Sequence, residues 1–200
     1  MKGAKDPPDS VLWLRSRSGD TDAFGLLFER HAKKIYNYGF RRLGDWGAAE
    51  DVLSMVFLEA WRRRGIDLPP DKVLPWFYGI ATNVIRNRRR SERRHSAALS
   101  RLPKPETEPD FTELAHARLD DEKQMRRGIA LLAKLPRREQ DVFALCAWSG
   151  LSYEDAAVAL SVPVGTIRSR LSRARKRLRE LDPMFGHEEG RKPTTEEALE

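Results

Sequence analysis

One face of the segment 164–181 concentrates side chains that could bind an anionic polymer. At about 100° per residue in a helix, five residues fall on that face: Arg168, Ser169, Ser172, Arg173 and Lys176. Arginine and lysine pair with phosphates and donate to guanine, and serine can bond to base edges. Residues 165–181 hold seven bases and one acid. The pattern indicates binding chemistry rather than catalysis, and DNA is the polymer it fits.

Apolar side chains are expected to hold this basic face outward. On the opposite side of the same helix the sequence places a stripe of Ile167, Leu171, Ala174, Leu178 and Leu181. Upstream, Ser152 and Asp155 resemble a capping box that starts a shorter helix, and Pro163 suits the first turn of the next. Two helices joined by a tight turn, the second one basic, are typical of a helix-turn-helix, whose second helix enters the major groove. The alternative is an amphipathic helix whose arginines only face solvent.

A second basic helix is predicted to begin near Pro75 and to end near Arg94. Its stripe of core residues is Phe77, Ile80, Ala81, Val84 and Ile85, and its outer face carries Trp76, Gly79, Asn83, Arg86, Asn87 and Arg90. Aromatic, amide and guanidinium groups together suit base stacking, base-edge contacts and phosphate contacts. Glycine on that face would let another backbone come close. Taken alone, such a helix end is usually a solvated terminus; beside a helix-turn-helix, a second nucleic-acid surface is the better interpretation.

The predicted helix from Ala48 to Arg63 has an unusual outer face. Its core side is a wide apolar surface of Val52, Leu53, Val56, Phe57, Ala60 and Trp61. Its other side combines two acids with two large apolar residues: Asp51, Met55, Leu58 and Glu59. Single exposed apolar residues are normal, but a Met-Leu pair flanked by acids hints at a protein interface. Chance exposure is the open alternative.

The composition favours a nucleic-acid-binding protein and offers little for catalysis. The 200 residues include 37 Lys+Arg and 30 Asp+Glu, a net charge of +7. The histidines are scattered, and none has metal-ligand spacing with the single cysteine, Cys146. We therefore expect no metal, no cofactor and no enzymatic activity. No apolar run is long enough to span a membrane, and the N-terminus lacks the apolar stretch of a secretory signal. These features predict a cytoplasmic protein that does not insert into a membrane.

The order of these segments predicts an all-α protein of two small helical domains joined by a flexible acidic linker. The first domain is expected at 10–94 and the second, which contains the helix-turn-helix, at 123–182. Between them, 95–122 has no sustained apolar period, and its part from 106 to 122 holds seven acids and one base. Residues 183–200 are predicted to be a disordered tail.

Three segments in this order resemble the sigma-70 family of bacterial RNA polymerase sigma factors, in the extracytoplasmic-function group. AEDVLSMVFLEAWRR (49–63) is similar to the helix that binds core polymerase. LPWFYGIATNVIRNRRR (74–90) is similar to the segment that melts and reads the minus-ten element. LPRREQDVFALCAWSGLSYEDAAVALSVPVGTIRSRLSRARKRL (135–178) is similar to the domain that reads the minus-thirty-five element. The resemblance covers about 19–181; a stand-alone helix-turn-helix regulator would leave 19–94 unexplained.

The resemblance implies roles for residues at matching positions. Asp51 and Glu59 become candidate polymerase contacts, with Met55 and Leu58 beside them. Phe57 and Trp61 belong to the same segment, but the helical pattern puts them on the core side. The matching DNA-reading positions are Asn83 and Asn87 for the minus-ten element and Arg168, Ser169, Ser172 and Arg173 for the minus-thirty-five element.

The resemblance also implies a function and a set of partners. We expect an initiation factor that binds core RNA polymerase, directs it to promoter DNA and helps to open the duplex, with an anti-sigma factor as a possible regulator. One departure concerns Ser54 and Met55, where the family usually has Gln followed by an acid. Some polymerase contacts should therefore differ.

Overall fold

The computed structural model describes residues 6–99 and 119–183, with side chains described for 6–95 and 126–183. Within these ranges the secondary structure is entirely helical, so the predicted all-α class is confirmed. The helices are α1 (Asp9–Arg17), α2 (Thr21–Leu43), α3 (Trp46–Arg62), α4 (Val73–Leu99), α5 (Leu119–Ala133), α6 (Arg137–Phe143), α7 (Tyr153–Leu160) and α8 (Val164–Leu181). A single π-helical turn, Ala144–Trp148, continues α6.

Two helices extend into the predicted linker at 95–122. Helix α4 continues to Leu99, and α5 already begins at Leu119. Alanine and leucine at 97–99 are strong helix formers, so propensity extends α4 where an apolar period is missing. Residues 100–118 and 184–200, which include most of the predicted linker and tail, lie outside the described residues.

Helix boundaries in the N-terminal part follow from local side-chain chemistry. The Asp20 carboxylate accepts from the Ala23 N–H at 2.9 Å and caps α2. Gly44 ends α2 in the left-handed region, with φ 71°. The Asp45 carboxylate then accepts from the Ala48 N–H at 2.6 Å and starts α3. These caps fix the tight reversal that lays α3 against α2.

Helices α1 to α4 share a core rich in aromatic side chains. Phe77 is fully buried, and its ring centroid lies 5.1 Å from that of Phe57 on α3. Tyr38 on α2 is buried too, and its hydroxyl lies 2.8 Å from the Thr82 hydroxyl on α4. Burial raises the pKa of Tyr38 to about 12, so the phenol remains neutral. The long basic helix α4 is thereby held against both α2 and α3.

Helices α6 to α8 form the predicted helix-turn-helix and its support. Ser152 caps α7, since its Oγ accepts from the Asp155 N–H at 3.0 Å. Ile167, Leu171 and the rest of the α8 stripe are buried, but Leu181 at the helix end is 45% exposed and was wrongly included in that stripe. Pro136 precedes α6, and the π-helical turn continues this helix to Trp148.

The two groups of helices pack against each other. Helix α7 lies across α4, and α2 contacts both α5 and the π-helical turn. At the crossing, a Cβ added to Gly79 would lie 2.6 Å from the Ala159 carbonyl oxygen. The close backbone approach that we predicted at Gly79 is therefore confirmed, and the backbone is that of α7.

None of the helices within 6–99 and 119–183 combines the length and the apolar character needed to cross a lipid bilayer.

Candidate nucleic-acid interface

The predicted reading face of α8 points to solvent. All five of its residues are exposed: Arg168, Ser169, Ser172, Arg173 and Lys176. The Arg173 side chain is 59% exposed, and its Nε donates to the Ser169 carbonyl at 3.2 Å. Because the α8 stripe is buried on the other side, these groups can approach a polymer without any repacking.

A buried acid that we did not predict supports this face from behind. Glu139 on α6 is 5% exposed, and both its carboxylate oxygens accept from Arg177 Nη1 at 2.8 Å. Arg173 Nε lies 4.0 Å from the same carboxylate. Glu139 therefore ties α8 to α6 and partly balances its positive charge. In the sequence it lies among other charged residues, where nothing distinguishes it from a solvated acid.

A shallow groove continues the basic face toward the start of α7. Its lining residues are Tyr153, Arg168, Leu171, Ser172, Arg175 and Arg179. The Arg168 guanidinium lies 6.0 Å from the centre of the Tyr153 ring. An aromatic ring beside several guanidinium groups suits a phosphate-sugar backbone flanking the reading face. Tyr153 was not among the predicted site residues, because the sequence did not show that its ring lies beside Arg168.

The predicted outer face of α4 is only partly exposed. Asn83, Asn87 and Arg90 are exposed. Trp76 is instead partly buried, because the Trp13 ring of α1 packs against it edge-on at 5.0 Å. Arg86 turns toward α6 and donates to Asp141 Oδ2 from Nε at 2.9 Å and from Nη2 at 2.7 Å.

The outer side of α4 is therefore covered in part: Trp76 and Arg86 are only partly exposed, and Gly79 lies under α7 as its lack of a side chain allows. The helical period placed these residues correctly on one side of α4, but the sequence did not show that α1 and α7 cover part of that side. Their role in DNA binding stays a prediction.

An ionic cluster joins α2, α4 and α6 at this place. Arg42 Nη2 donates to Asp141 Oδ1 at 2.6 Å, and the two side chains are 2% and 1% exposed. Arg89 donates to Gln140 at 2.9 Å. Burial and the nearby charge of Arg42 lower the pKa of Arg89. The cluster thus brings positive charge from the N-terminal helices around one buried carboxylate.

The predicted outer face of α3 is exposed at Asp51, Met55 and Leu58 and partly exposed at Glu59. Met55 is 54% and Leu58 51% exposed. Asp51 pairs with Arg88 at 2.9 Å, and Glu59 pairs with Arg63 at 2.5 Å. The apolar pair is therefore free to contact another protein, with acids on either side.

The core side of α3 carries two aromatic side chains of the segment that resembles the polymerase-binding helix. Phe57 is buried, which confirms its core position. Trp61 is partly buried, and its ring lies 5.1 Å from that of Phe24. The helical pattern therefore separated the core and outer sides of this helix correctly.

Within the described part of the chain, no group of three or more His, Cys, Asp or Glu residues could hold a metal ion. Burial also raises the pKa of the Cys146 thiol to about 11, which makes it a poor nucleophile near neutral pH.

Comparison with known proteins connects these surfaces to a family. The model for Sigma-70 region 2 matches residues 27–95, and the model for Sigma-70, region 4 matches residues 129–178. The RNA polymerase sigma-H factor of Pseudomonas aeruginosa is 31% identical over 192 residues, covering 88% of this chain and 95% of that protein. The RNA polymerase sigma factor CarQ of Myxococcus xanthus is 32% identical over 168 residues, covering 84% and 93%.

Relatives named for the extracytoplasmic-function group and solved structures give the same picture. The ECF RNA polymerase sigma factor SigE of Mycolicibacterium smegmatis is 31% identical over 160 residues, covering 77% of this chain and 59% of that protein. The structure of CnrH in complex with the cytosolic domain of CnrY is similar with a TM-score of 0.64 and 26% identity, covering 86% of this chain and 96% of that one. The sigma factor RpoE of Bartonella quintana, solved with the anti-sigma factor NepR, shares the fold with a TM-score of 0.59 at 24% identity, covering 79% and 95%.

Proposed function

This chain belongs to the sigma-70 family of RNA polymerase sigma factors, in the extracytoplasmic-function group, and is a transcription initiation factor; from that premise we propose that it binds core RNA polymerase through α3 and promoter DNA through α4 and α8. It delivers the polymerase to specific promoters and helps to open the duplex. It has no catalytic role of its own, because the polymerase does the chemistry. Its place of action is the cytoplasm, where the polymerase and the promoter are found.

The observation that carries this proposal is the reading face of α8. Its arginine and serine side chains are exposed while the opposite stripe is buried, so the helix can enter a major groove as a rigid unit. The region from 123 to 182 is proposed to read the minus-thirty-five element in this way. The side groove at Tyr153 and Arg179 would hold the flanking backbone.

The N-terminal unit, proposed at 10–94, has two tasks. The exposed residues Asn83, Asn87 and Arg90 of α4 would contact the minus-ten element, with Trp76 and Arg86 joining them where the covering helices move away. On α3, Met55 and Leu58 would contact the polymerase as an apolar centre, with Asp51 and Glu59 at its rim. The region from 95 to 122 would act as the connection between the two units.

A regulatory protein is a further proposed partner. The solved structure of CnrH contains the cytosolic domain of CnrY, and the present chain covers nearly all of CnrH. We infer from this similarity that an anti-sigma factor would bind this chain.

Co-purification with core polymerase tests the proposal against its rival, a regulator that binds DNA alone. The chain and core polymerase are mixed and separated by size, and the fraction that contains both is tested for protection of promoter DNA. We expect one complex that protects two elements, and Arg168→Ala should remove protection of the upstream one only. A chain that protects DNA alone but never migrates with core polymerase would show that the rival is correct.

A further inference from the structure

The contact between the two groups of helices contains a buried carboxylate. Among the described residues, only arginines from the other group of helices bind it. Asp141 on α6 is 1% exposed and accepts from Arg42 on α2 and from Arg86 on α4. Neither arginine belongs to the C-terminal helices, so Asp141 contributes nothing to holding those helices together. Its burial depends entirely on the closed arrangement of the two groups.

The positive charge around Asp141 exceeds what one carboxylate can balance. Arg42 is 2% exposed, yet its Nε and Nη1 find no hydrogen-bond partner in the described part of the chain. Arg89 and Arg41 lie in the same interface, where they donate to Gln140 and to the Trp148 carbonyl. Buried charge without full compensation is costly, so these buried arginines depend strongly on Asp141. The ion pair between Lys72 and Asp155, at 2.7 Å, also crosses the contact, but both of its side chains are partly exposed.

The Asp141 carboxylate binds an arginine of α4 as an anionic ligand would. Two nitrogens of Arg86 bind the same Asp141 oxygen, which resembles the way a guanidinium holds a phosphate oxygen. Helix α7 lies over Gly79, one helical turn from Asn83 on the same side. A nucleic-acid strand following this face would have to displace both α7 and Asp141.

We propose that Asp141 competes with promoter DNA for α4, so that the free chain holds its own minus-ten face closed. This inference rests on the proposed function of α4 in DNA binding. In the closed state Arg86 is occupied and Gly79 is covered, whereas the reading face of α8 remains exposed. The C-terminal unit therefore acts as an internal competitor that must move away before the N-terminal unit can engage a strand.

Two substitutions open the closed state through unrelated contacts. Asp141→Asn removes the carboxylate that Arg42 and Arg86 share and leaves these two arginines facing one another. Gly79→Ala places a methyl group 2.6 Å from the Ala159 carbonyl oxygen in the closed state, closer than a carbon and an oxygen can approach. In the opened chain the same alanine stabilises α4, because alanine is a better helix former than glycine.

A matched control removes a carboxylate from an ion pair outside the interface. Asp67 pairs with Arg17 at the surface of the N-terminal helices. Asp67→Asn therefore makes the same change of charge as Asp141→Asn without touching the contact between the two groups.

The test measures shape and strand binding on the full-length chain. Small-angle X-ray scattering gives the radius of gyration, and fluorescence anisotropy gives the affinity for a fluorescein-labelled single strand of mixed sequence. A single strand has no major groove for α8 to enter, and the exposed basic face of α8 is the same in every variant. Differences in affinity between the variants therefore report on α4. Circular dichroism checks that each variant keeps its helix content.

We expect both opening variants to have a larger radius of gyration and to bind the strand at least about tenfold more tightly. If fewer than about a tenth of the wild-type molecules are open, the apparent affinity of the wild type is lower than that of an open chain by the open fraction. Asp67→Asn should match the wild type in both measurements. Adding Arg86→Ala to Asp141→Asn should remove most of the gain while the chain stays expanded.

Two results would overturn the inference in distinguishable ways. Opening variants that keep the wild-type radius would show that Asp141 and Gly79 do not hold the chain closed, and the proposed function would be unaffected. Variants that expand but bind the strand no better would show that α4 does not compete for DNA, and the proposed minus-ten role of α4 would fail with it.

Discussion

Replacing Met55 and Leu58 with alanine should weaken binding to core RNA polymerase without loosening the fold. Both side chains already have about half of their surface exposed, 54% and 51%, so their truncation leaves the helical core filled. Complete burial of such a side chain is worth about 1.5–3 kcal/mol. A partner that covers the exposed half of each side chain would gain about half of this free energy from Met55 and about half from Leu58. The two together then contribute about 1.5–3 kcal/mol, so the double variant should lose affinity by roughly 10- to 150-fold.

The assay is a competition between labelled wild-type chain and each unlabelled variant for a fixed amount of core polymerase. Leu14→Ala is the matched control, since Leu14 on α1 is 60% exposed and lies on another helix. It should bind like the wild type. The reasoning would be refuted if the affinity of the double variant for core polymerase were within about threefold of that of the control. It would also be refuted if the double variant lost more than about 1 kcal/mol of unfolding free energy, because surface substitutions usually change this free energy by less.

Three other predictions concern the DNA-reading helix, a helix cap and a partly buried acid. Arg173→Ala should cost about 1–3 kcal/mol of promoter-binding free energy and relax specificity at one base pair, whereas Arg179→Ala should weaken binding to all sequences alike and lower its salt dependence. Anisotropy titrations on promoter and scrambled duplexes measure both effects. Equal losses of affinity on every sequence would mean that the face is purely electrostatic. Ser152→Ala should lower the unfolding free energy by about 1 kcal/mol in urea, because the cap of α7 is lost, while Ser152→Asn should restore it. Asp9 is partly buried, which raises its pKa, but hydrogen bonds from His31 and Arg30 outweigh this and leave the pKa below its usual 3.8. The ionised Asp9 therefore stabilises the fold above about pH 4. The difference in unfolding free energy between wild type and Asp9→Asn should be largest at about pH 6 and shrink as the pH falls below about 4. A difference that stays constant across this range would contradict the assignment.

The sequence predicted the elements whose pattern is local. Apolar spacing separated the core and outer sides of α3 and α8, apart from Leu181 at the end of α8. The cap at Ser152 followed from residue type and spacing. Each of these features depends on side chains within a few turns of the same helix, which is why a single sequence can show them.

Features that depend on distant contacts could not be predicted in the same way. Asp141 lies in a stretch of charged residues that reads as a solvated helix, and only its packing against Arg42 and Arg86 buries it. Trp76 appears as an exposed aromatic until Trp13 of α1 packs against it. The part of the α4 face that is covered in the free chain therefore became visible only in the three-dimensional arrangement.

Transcription with purified components tests the central claim most directly. The template is promoter DNA around a transcription start site that responds to overexpression of the chain. Transcription by core polymerase on this template is measured with and without the chain. We predict one transcript of defined length that requires the chain and disappears with the double substitution Arg168→Ala and Arg173→Ala. If the same core polymerase is active with another sigma factor but starts at no defined position with this chain on any such template, the chain is not an initiation factor.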